Sequence, residues 1–197
     1  MRGRRGPIHA MLMLAAWGLC GGGSAAGAEL NGLSLFAGRL TDNGWESFFI
    51  SPRQTSFLNS HILAVVPSWT LLDREPRWLL EGEAQVVRHF GGQSHWEFNG
   101  ALVFRWRSFP WRSRARTTAA FGIGPSWASR TPRLEARFNR HGSERFLTYW
   151  FMEITHSPAA WGPWAATLRL HHRSDAFGLV AEDGGSNIPA LGVRRRF

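Results

Sequence analysis

With 197 residues, the chain has room for one domain but scarcely for two. Its 23 basic side chains are all arginines and outnumber the 14 acidic ones, so the chain is strongly basic. An arginine excess can indicate a nucleic-acid partner, but the export signal described next argues against that class and favours an anionic lipid surface, although solvated loops explain the excess equally well.

The first 28 residues have the pattern of a secretory signal peptide. Three arginines precede an apolar run from Ile8 to Leu19, and a small-residue cleavage site follows at Ala26-Gly27-Ala28. Acylation of Cys20 is not expected, because Leu19 stands where a lipoprotein signal has a small residue. We therefore predict a cleaved leader at residues 1–28 and one domain at residues 29–197, which contains no cysteine. A secreted domain without disulfides needs another source of stability, and a closed hydrogen-bonded barrel provides one.

Eight segments after the leader alternate apolar and polar side chains, which is the pattern of a half-buried strand. No apolar run after the leader reaches the length of a membrane-spanning helix, so any insertion into a membrane must use strands. Segments of about ten residues separated by turn residues are typical of an eight-stranded antiparallel transmembrane β-barrel. The predicted strands are Leu33 to Thr41, Ser56 to Val66, Arg77 to His89, His95 to Arg107, Arg116 to Ala128, Glu144 to His156, Trp164 to Ser174 and Ile188 to Phe197.

Tryptophans recur near the ends of these segments, as in the aromatic girdles of membrane barrels. They are Trp45, Trp69, Trp78, Trp96, Trp111, Trp127, Trp150 and Trp164. A soluble sandwich with an aromatic core is the alternative, and it fits the polar residues within the alternating strands less well. The final strand ends in Phe197, like the assembly signal of outer-membrane barrels, and Arg195 is predicted to extend toward the interface from the membrane side.

The seventh segment carries a histidine and a serine two residues apart. Successive strand residues point to opposite faces, so His172 and Ser174 share the apolar face with Leu168 and Leu170. A histidine can take the hydroxyl proton of a serine as its oxygen attacks a carbonyl. The tripeptide alone is weak evidence, but its place on a lipid-facing strand gives an acyl ester access to it.

The closing segment resembles the PagL-type lipid A 3-O-deacylases, which are eight-stranded outer-membrane barrels. The resemblance is carried by Leu170-His171-His172-Arg173-Ser174-Asp175-Ala176-Phe177-Gly178, Gly184-Gly185-Ser186-Asn187 and Gly192-Val193-Arg194-Arg195-Arg196-Phe197. It implies that Ser174 is the nucleophile and His172 the base, that lipid A or lipopolysaccharide is the substrate, and that the protein lies in the outer membrane. Neither a cofactor nor a metal is implied.

Two positions depart from the family pattern. The family has a glutamate at the start of the last strand, and the register from Phe197 places Asn187 there; an amide can orient the histidine but cannot neutralise its charge. Glu182 or Asp183 could substitute if the preceding loop folds back over the strand. The family commonly has asparagine after the serine, where this chain has Asp175, so backbone amides near Ala176 to Gly178 would have to stabilise an oxyanion.

The remaining polar residues favour structural roles. Lumen ion pairs are predicted for Glu81, Glu83, Glu97, Arg105 and Arg107. A metal site is not expected, because the histidines at positions 89, 95, 141, 156 and 171 are scattered in sequence. The arginine-rich tract from Arg133 to Arg145 is predicted to be an exposed loop, which either binds lipid A phosphates or is merely solvated. Gly122 and Gly124, with Pro125, interrupt the fifth strand and indicate a bend or a close backbone approach.

The sequence therefore predicts an outer-membrane barrel that hydrolyses an ester of lipid A with Ser174, His172 and Asn187. The main alternative is a non-catalytic barrel of the small OmpX or OmpW type, serving in adhesion, envelope integrity or permeation, which the missing acidic residue favours. The outer-membrane bilayer is the expected surrounding, nucleic acid is not an expected partner, and a homodimer is left open.

Overall fold

The computed structural model describes residues 30–42, 44, 46 and 50–197. The predicted leader at residues 1–28, and Trp45 of the aromatic set, lie outside the described residues.

Within the described part of the chain, eight antiparallel strands close into a barrel, as the sequence predicts. Each strand pairs with the next along the chain, and the last pairs with the first, so the sheet has no free edge. The strands are β1 (Leu30–Thr41), β2 (Phe57–Arg74), β3 (Trp78–Gly91), β4 (His95–Trp106), β5 (Ala115–Ala128), β6 (Phe146–Pro158), β7 (Trp164–Ser174) and β8 (Gly185–Arg196). A short helix, α1 (Arg133–Phe138), and 3-10 turns at Pro52–Gln54 and Ala159–Trp161 lie in the connections.

The two ends of the barrel differ in the length of their connections. Residues 42–56, 92–94, 129–145 and 175–184 connect strands at one end, which we call the loop end. Residues 75–77, 107–114 and 159–163 connect strands at the other, which we call the turn end. The connections at the loop end are mostly longer, and they include α1.

Side chains alternate between the lumen and the outer face along the strands. The outer face carries large apolar side chains that are about half exposed or more, among them Leu63, Leu102, Leu168 and Leu191. Four of the predicted girdle tryptophans are exposed near strand ends: Trp96 and Trp127 at the loop end, and Trp111 and Trp164 at the turn end. Trp106 and Trp161 are also exposed at the turn end, whereas the predicted Trp69, Trp78 and Trp150 are half-buried. An apolar outside around a polar lumen is the pattern of a transmembrane barrel. None of the helices among the described residues is long and apolar enough to cross a membrane.

Strand β2 is longer than predicted. The sequence pattern predicts an end at Val66, yet the strand continues to Arg74. Pro67 pairs with Leu33 of β1 but lies at an interruption of the β2–β3 pairing. Proline has no N–H to donate, and it is tolerated in a strand at such an interruption.

Strand β5 is not interrupted by its glycines. It runs from Ala115 to Ala128, and Gly122 and Gly124 instead permit close approaches, as the sequence also indicates. A Cβ at Gly122 would overlap the ring of Phe151, and one at Gly124 would overlap the carbonyl oxygen of Gly100.

The lumen toward the turn end is filled by an ion-pair network. Arg105 bonds to Glu81 at 2.5 Å and to Glu153 at 2.8 Å, and Arg169 lies 3.0 Å from Glu83. The predicted lumen ion pairs of Glu81, Glu83 and Arg105 are therefore confirmed. Glu97 also lies in the lumen, but its nearest arginine nitrogen, Nε of Arg173, is 4.0 Å away. The prediction for Arg107 is wrong: it follows the end of β4 and pairs with Asp73 at the turn end.

Candidate active site

The candidate site lies where β7 ends and β8 begins, at the loop end. The antiparallel register pairs His172 with Asn187 and Ser174 with Gly185. Because these two strands alternate in step, His172, Ser174 and Asn187 all face outward, on the same wall as Leu168 and Leu191. The structure therefore brings the three predicted residues to one face of the barrel.

Asn187 fixes the ring of His172. The Oδ1 of Asn187 lies 2.6 Å from Nδ1 of His172. A carbonyl oxygen only accepts hydrogen bonds, so Nδ1 carries the proton and Nε2 keeps a free lone pair, as a general base requires. Thr41 of β1 donates to the backbone oxygen of Asn187 at 3.0 Å, and the ring of Trp150 lies 4.2 Å from the imidazole. His172 is 7% exposed, so its ring is held on several sides.

Ser174 is the last residue of β7 and is followed by a tight turn. The backbone N–H of Ala176 donates to Ser174 Oγ at 3.1 Å, and Ser174 Oγ donates to Asp175 Oδ1 at 3.3 Å. The hydroxyl is thus directed to Asp175 rather than to His172. Asp175 does not face away from the serine; its carboxylate also accepts the N–H of Phe177 at 3.2 Å.

The turn has an unusual backbone. Ala176 and Phe177 have φ of 55° and 58°, a region that side chains other than glycine rarely adopt, and Gly178 follows with φ of 79°. Such conformations persist only where the surroundings hold them, and they concentrate at functional sites. Here the turn aims the N–H of Ala176 at the serine oxygen and leaves Phe177 and Leu179 almost fully exposed.

A cavity of about 660 Å³ lies against the site. His172, Ser174 and Asn187 line it together with outward-facing apolar residues of β5 and β6, namely Phe121, Ile123, Trp150 and Met152. A second groove of about 480 Å³ shares Phe121 and Met152 with it and continues toward the turn end along Ile154, Leu168 and Leu170. We call the two together the wall track.

The acidic residues of the loop before β8 do not reach His172. Glu182 is exposed, and Asp183 accepts the backbone N–H groups of His141 at 2.7 Å and of Gly184 at 2.9 Å. The hydrogen bond from His141 lowers the pKa of Asp183 below its ordinary value. Asp183 therefore ties two loops together, and Asn187 is the residue that orients the histidine.

The tract from Arg133 to Arg145 is not simply an exposed loop. Its first residues form α1, and Glu135 of this helix is buried over the loop end of the lumen. Both carboxylate oxygens of Glu135 accept from Arg173, at 2.9 and 2.7 Å, and Ser186 donates to it at 2.7 Å. The arginines of the tract remain exposed on the rim. A buried acid in a helix of one to two turns leaves too weak a periodic signal to be found in the sequence.

The prediction that the histidines are scattered is wrong for His89 and His95, which lie together in the folded barrel. His89, His95 and Glu97 are buried in the lumen at the loop end, with ligand atoms within 4.8 Å of one another. His89 and His95 are directly paired across the β3–β4 hairpin, and Glu97 lies on the same face. The sequence contained a signal for this cluster. Positions 89, 95 and 97 are all odd-numbered and flank the Gly91-Gly92 turn, so their side chains share one face when the two strands pair.

No family model matches this chain, and no curated protein matches it. Solved structures do match. The outer-membrane enzyme PagL aligns over 84% of this chain and 99% of its own, with a TM-score of 0.59 and 13% identity. Neisserial surface protein A, NspA, aligns over 84% of this chain and 96% of its own, with a TM-score of 0.49 and 8% identity. At 13% identity the likeness to PagL shows the fold, an eight-stranded barrel of the outer-membrane kind.

Proposed function

We propose that the protein is an outer-membrane ester hydrolase that removes the 3-linked acyl chain from lipid A. Ser174 is the nucleophile, His172 the base, and Asn187 the residue that orients His172. The observation that carries the proposal is the imidazole held at 2.6 Å by Asn187 on the outer face of the barrel, next to a serine and above an apolar wall. The sequence resemblance of the closing segment supports lipid A as the substrate.

The position of the site suits a substrate in the outer leaflet. Outer-membrane barrels keep short turns on the periplasmic side and longer loops outside. The loop end of this barrel therefore faces outward from the cell, and the site lies just below its rim on the side that meets lipid. An ester near the head group of lipid A reaches Ser174 at this depth without leaving the bilayer.

The reaction follows from the ring tautomer. Once an ester is bound, the Ser174 hydroxyl turns from Asp175 to Nε2 of His172, which takes its proton as Oγ attacks the carbonyl carbon. The intermediate collapses when the proton passes from His172 to the leaving sugar oxygen. A water then attacks the acyl-serine, with His172 again the base, and the free fatty acid leaves. Catalytic hydrogen bonds are often formed only in the substrate complex, so the Ser174–Asp175 bond is compatible with this sequence.

The N–H of Ala176 is the donor for the developing oxyanion. It points at Ser174 Oγ from 3.1 Å, which places it beside any carbonyl that bonds to that oxygen. The carboxylate of Asp175, 3.3 Å from the same oxygen, opposes the developing negative charge. The site therefore combines a favourable amide with an unfavourable neighbouring charge.

The wall track provides room for the acyl chain. Its walls at Phe121, Met152, Ile154 and Leu168 are apolar and face outward, so a chain bound there exchanges lipid neighbours for side chains of similar polarity. The shape of the track then determines how the acyl chain binds. The ester that is cleaved is the one that lies at the loop end of the track, beside Ser174.

The proposal is tested with the full chain folded in detergent micelles and mixed with purified lipid A. We expect release of the 3-linked hydroxy fatty acid by the unaltered chain, at a rate roughly 10³-fold or more above that of Ser174→Ala. Ser129→Ala is the matched control, because this serine lies in another loop at the same end. Heat-modifiable migration on gels confirms that each variant is folded. Equal rates in Ser174→Ala and the unaltered chain, or no release by either, would reject the proposal in favour of a non-catalytic barrel.

A further inference from the structure

The lumen at the loop end contains a cluster of histidines that the proposed ester chemistry does not use. His89, His95, Glu97 and His171 face inward, on the opposite side of the barrel wall from the outward-facing His172. Each of the four is at most 4% exposed. We call these four residues the lumen histidine cluster.

The charges of the lumen are unequally distributed between its two ends. Toward the turn end, three buried glutamates are matched by three buried arginines: Glu81, Glu83 and Glu153 with Arg105, Arg169 and Arg194. Toward the loop end, Glu97 and Glu135 share one buried arginine among the described residues, Arg173. Both oxygens of Glu135 bind Arg173 at 2.9 Å or less, whereas Glu97 lies 4.0 Å from it. Glu97 therefore has no arginine of its own, and a buried carboxylate without a cationic partner is costly.

Neutral donors surround Glu97 instead. Asn99 donates to its Oε1 at 2.7 Å, and Nε2 of His89 lies 2.8 Å from its Oε2. The amide oxygen of Gln93 accepts the N–H of Leu134 at 3.2 Å, so its NH2 group faces Nδ1 of His89, at 3.4 Å. Nδ1 then accepts a hydrogen bond, and Nε2 donates toward Glu97.

The other two imidazoles have spare nitrogens. His95 stacks on His89 with ring centres 4.0 Å apart, and its buried Nε2 has no hydrogen-bond partner among the described residues. Nε2 of His171 lies 3.0 Å from Oε1 of Glu97 without the alignment of a hydrogen bond. Buried polar atoms without partners are rare in native proteins, and each one requires an explanation such as a bound ion.

We propose that the lumen histidine cluster binds a divalent transition-metal ion of the zinc type through His89, His95 and Glu97. Two imidazoles and one carboxylate are a donor set that zinc accepts, and the ligand atoms already lie within 4.8 Å of one another. Zinc at Nε2 of His89 moves the ring proton to Nδ1, where the Gln93 amide accepts it after turning over. His171 remains beside Glu97 as a neighbour that orients the carboxylate.

The role of this ion is structural. It would join β3 to β4 directly under α1, where the side chain of Gln93 lies between the cluster and the backbone of Leu134. It is separated by the barrel wall from Ser174, so ester hydrolysis and metal binding are independent properties with separate tests.

Zinc titration of the full chain, folded in detergent and stripped of metal, tests the proposal by calorimetry. We expect one zinc ion per barrel and a higher unfolding temperature with zinc present, because an ion that binds only the folded state stabilises it. His95→Gln should weaken binding at least 100-fold. His141→Gln is the matched control, since His141 forms an exposed pair with Asp183 at the same end of the barrel.

A second measurement needs no variant. Cobalt(II) added in place of zinc reports its ligands through visible absorption, and a four-coordinate histidine and carboxylate site gives intense bands. Absence of zinc binding by the unaltered barrel, or equal binding by His95→Gln, overturns the proposal. In the first case the cluster is a hydrogen-bonded network without a metal ion; in the second, zinc binds elsewhere, as at His141 and Asp183.

Discussion

Asn187 orients His172 as a carboxylate would, but it carries no charge. During the attack of Ser174 the imidazole becomes an imidazolium, and an amide oxygen stabilises that charge less than a carboxylate does. The proposed site therefore has the correct tautomer with an incomplete electrostatic partner, which predicts a slow enzyme rather than an inactive one.

Substitution at position 187 separates these two contributions. Asn187→Asp keeps the position of the accepting oxygen, 2.6 Å from Nδ1 in the native chain, and adds a charge, so kcat should rise about tenfold, equivalent to roughly 1.4 kcal/mol. Asn187→Ala removes the acceptor, and kcat should fall about tenfold or more with little change in KM. Rates of lipid A deacylation by the three folded barrels provide the measurement. Equal kcat values in all three would show that position 187 does not act on the base.

Asp175 is predicted to slow the reaction. Its carboxylate lies 3.3 Å from the serine oxygen, near the place where the oxyanion develops. Asp175→Asn keeps an acceptor for the N–H of Phe177 and offers a donor, so kcat should rise roughly fivefold, about 1 kcal/mol. The exposed Glu182, changed to Gln, controls for net charge and should leave kcat unaltered. A fall in kcat in Asp175→Asn would mean that the carboxylate assists the serine, for example by accepting its proton.

At the scale of the element, the outer surfaces of β5, β6 and β7 form the wall track. Met152 lies where its two grooves join, so Met152→Trp should obstruct an acyl chain without touching the lumen. We expect kcat/KM for lipid A to fall at least tenfold. Val65→Trp is the matched control on β2, at another outward-facing position, which is half-exposed. If both variants keep full activity, the acyl chain does not use the track.

The close approach of β5 to β4 is a second property of these elements. A Cβ at Gly124 would overlap the carbonyl oxygen of Gly100, which is backbone and cannot move aside cheaply. Gly124→Ala should lower the free energy of unfolding by roughly 1–3 kcal/mol. A Cβ at Gly100 meets its nearest atom at 4.0 Å, so Gly100→Ala should change stability by about 0.5 kcal/mol or less. Urea unfolding of the folded barrels compares the two, and equal losses would contradict the packing argument.

The strands were predictable from sequence because each has one apolar and one polar face, and a period of two is the strongest signal a barrel strand leaves. The end of β2 was not predictable from sequence. A strand continues through a proline such as Pro67 only where the ladder needs no N–H donor, and the sequence alone does not show where that is. The connections were less predictable still. Glu135 is buried only because α1 folds over the lumen, and nothing in the tract from Arg133 to Arg145 indicates that contact.

The candidate site was largely predictable for a similar reason. His172 and Ser174 lie two residues apart on one strand. Counting back from Phe197 places Asn187 at the start of the last strand, where the register pairs it with His172. The direction of the Ser174 hydroxyl and the backbone of Ala176 and Phe177 depend on the turn, which periodicity does not describe. The approach of His171 to Glu97 joins strands from opposite parts of the sequence and required the closed barrel.

At the scale of the whole molecule, the closed sheet and the lumen ion pairs should make the barrel resistant to detergent. Every strand has two neighbours, and the buried charges are mostly paired, so unfolding must expose them together. We expect the protein in the outer-membrane fraction, with slower migration on gels after boiling than before. Release with the soluble periplasmic proteins would contradict the proposed location.

Deacylation of lipid A through Ser174 is the proposal on which the predictions for Asn187, Asp175 and Met152 depend. Mass spectrometry of lipid A from cells that express the unaltered chain, compared with cells that express Ser174→Ala at equal barrel yield, tests it most directly. We expect the loss of one 3-linked hydroxyacyl mass only in cells with the serine. Identical lipid A spectra in the two strains, with both barrels folded in the outer membrane, would contradict it.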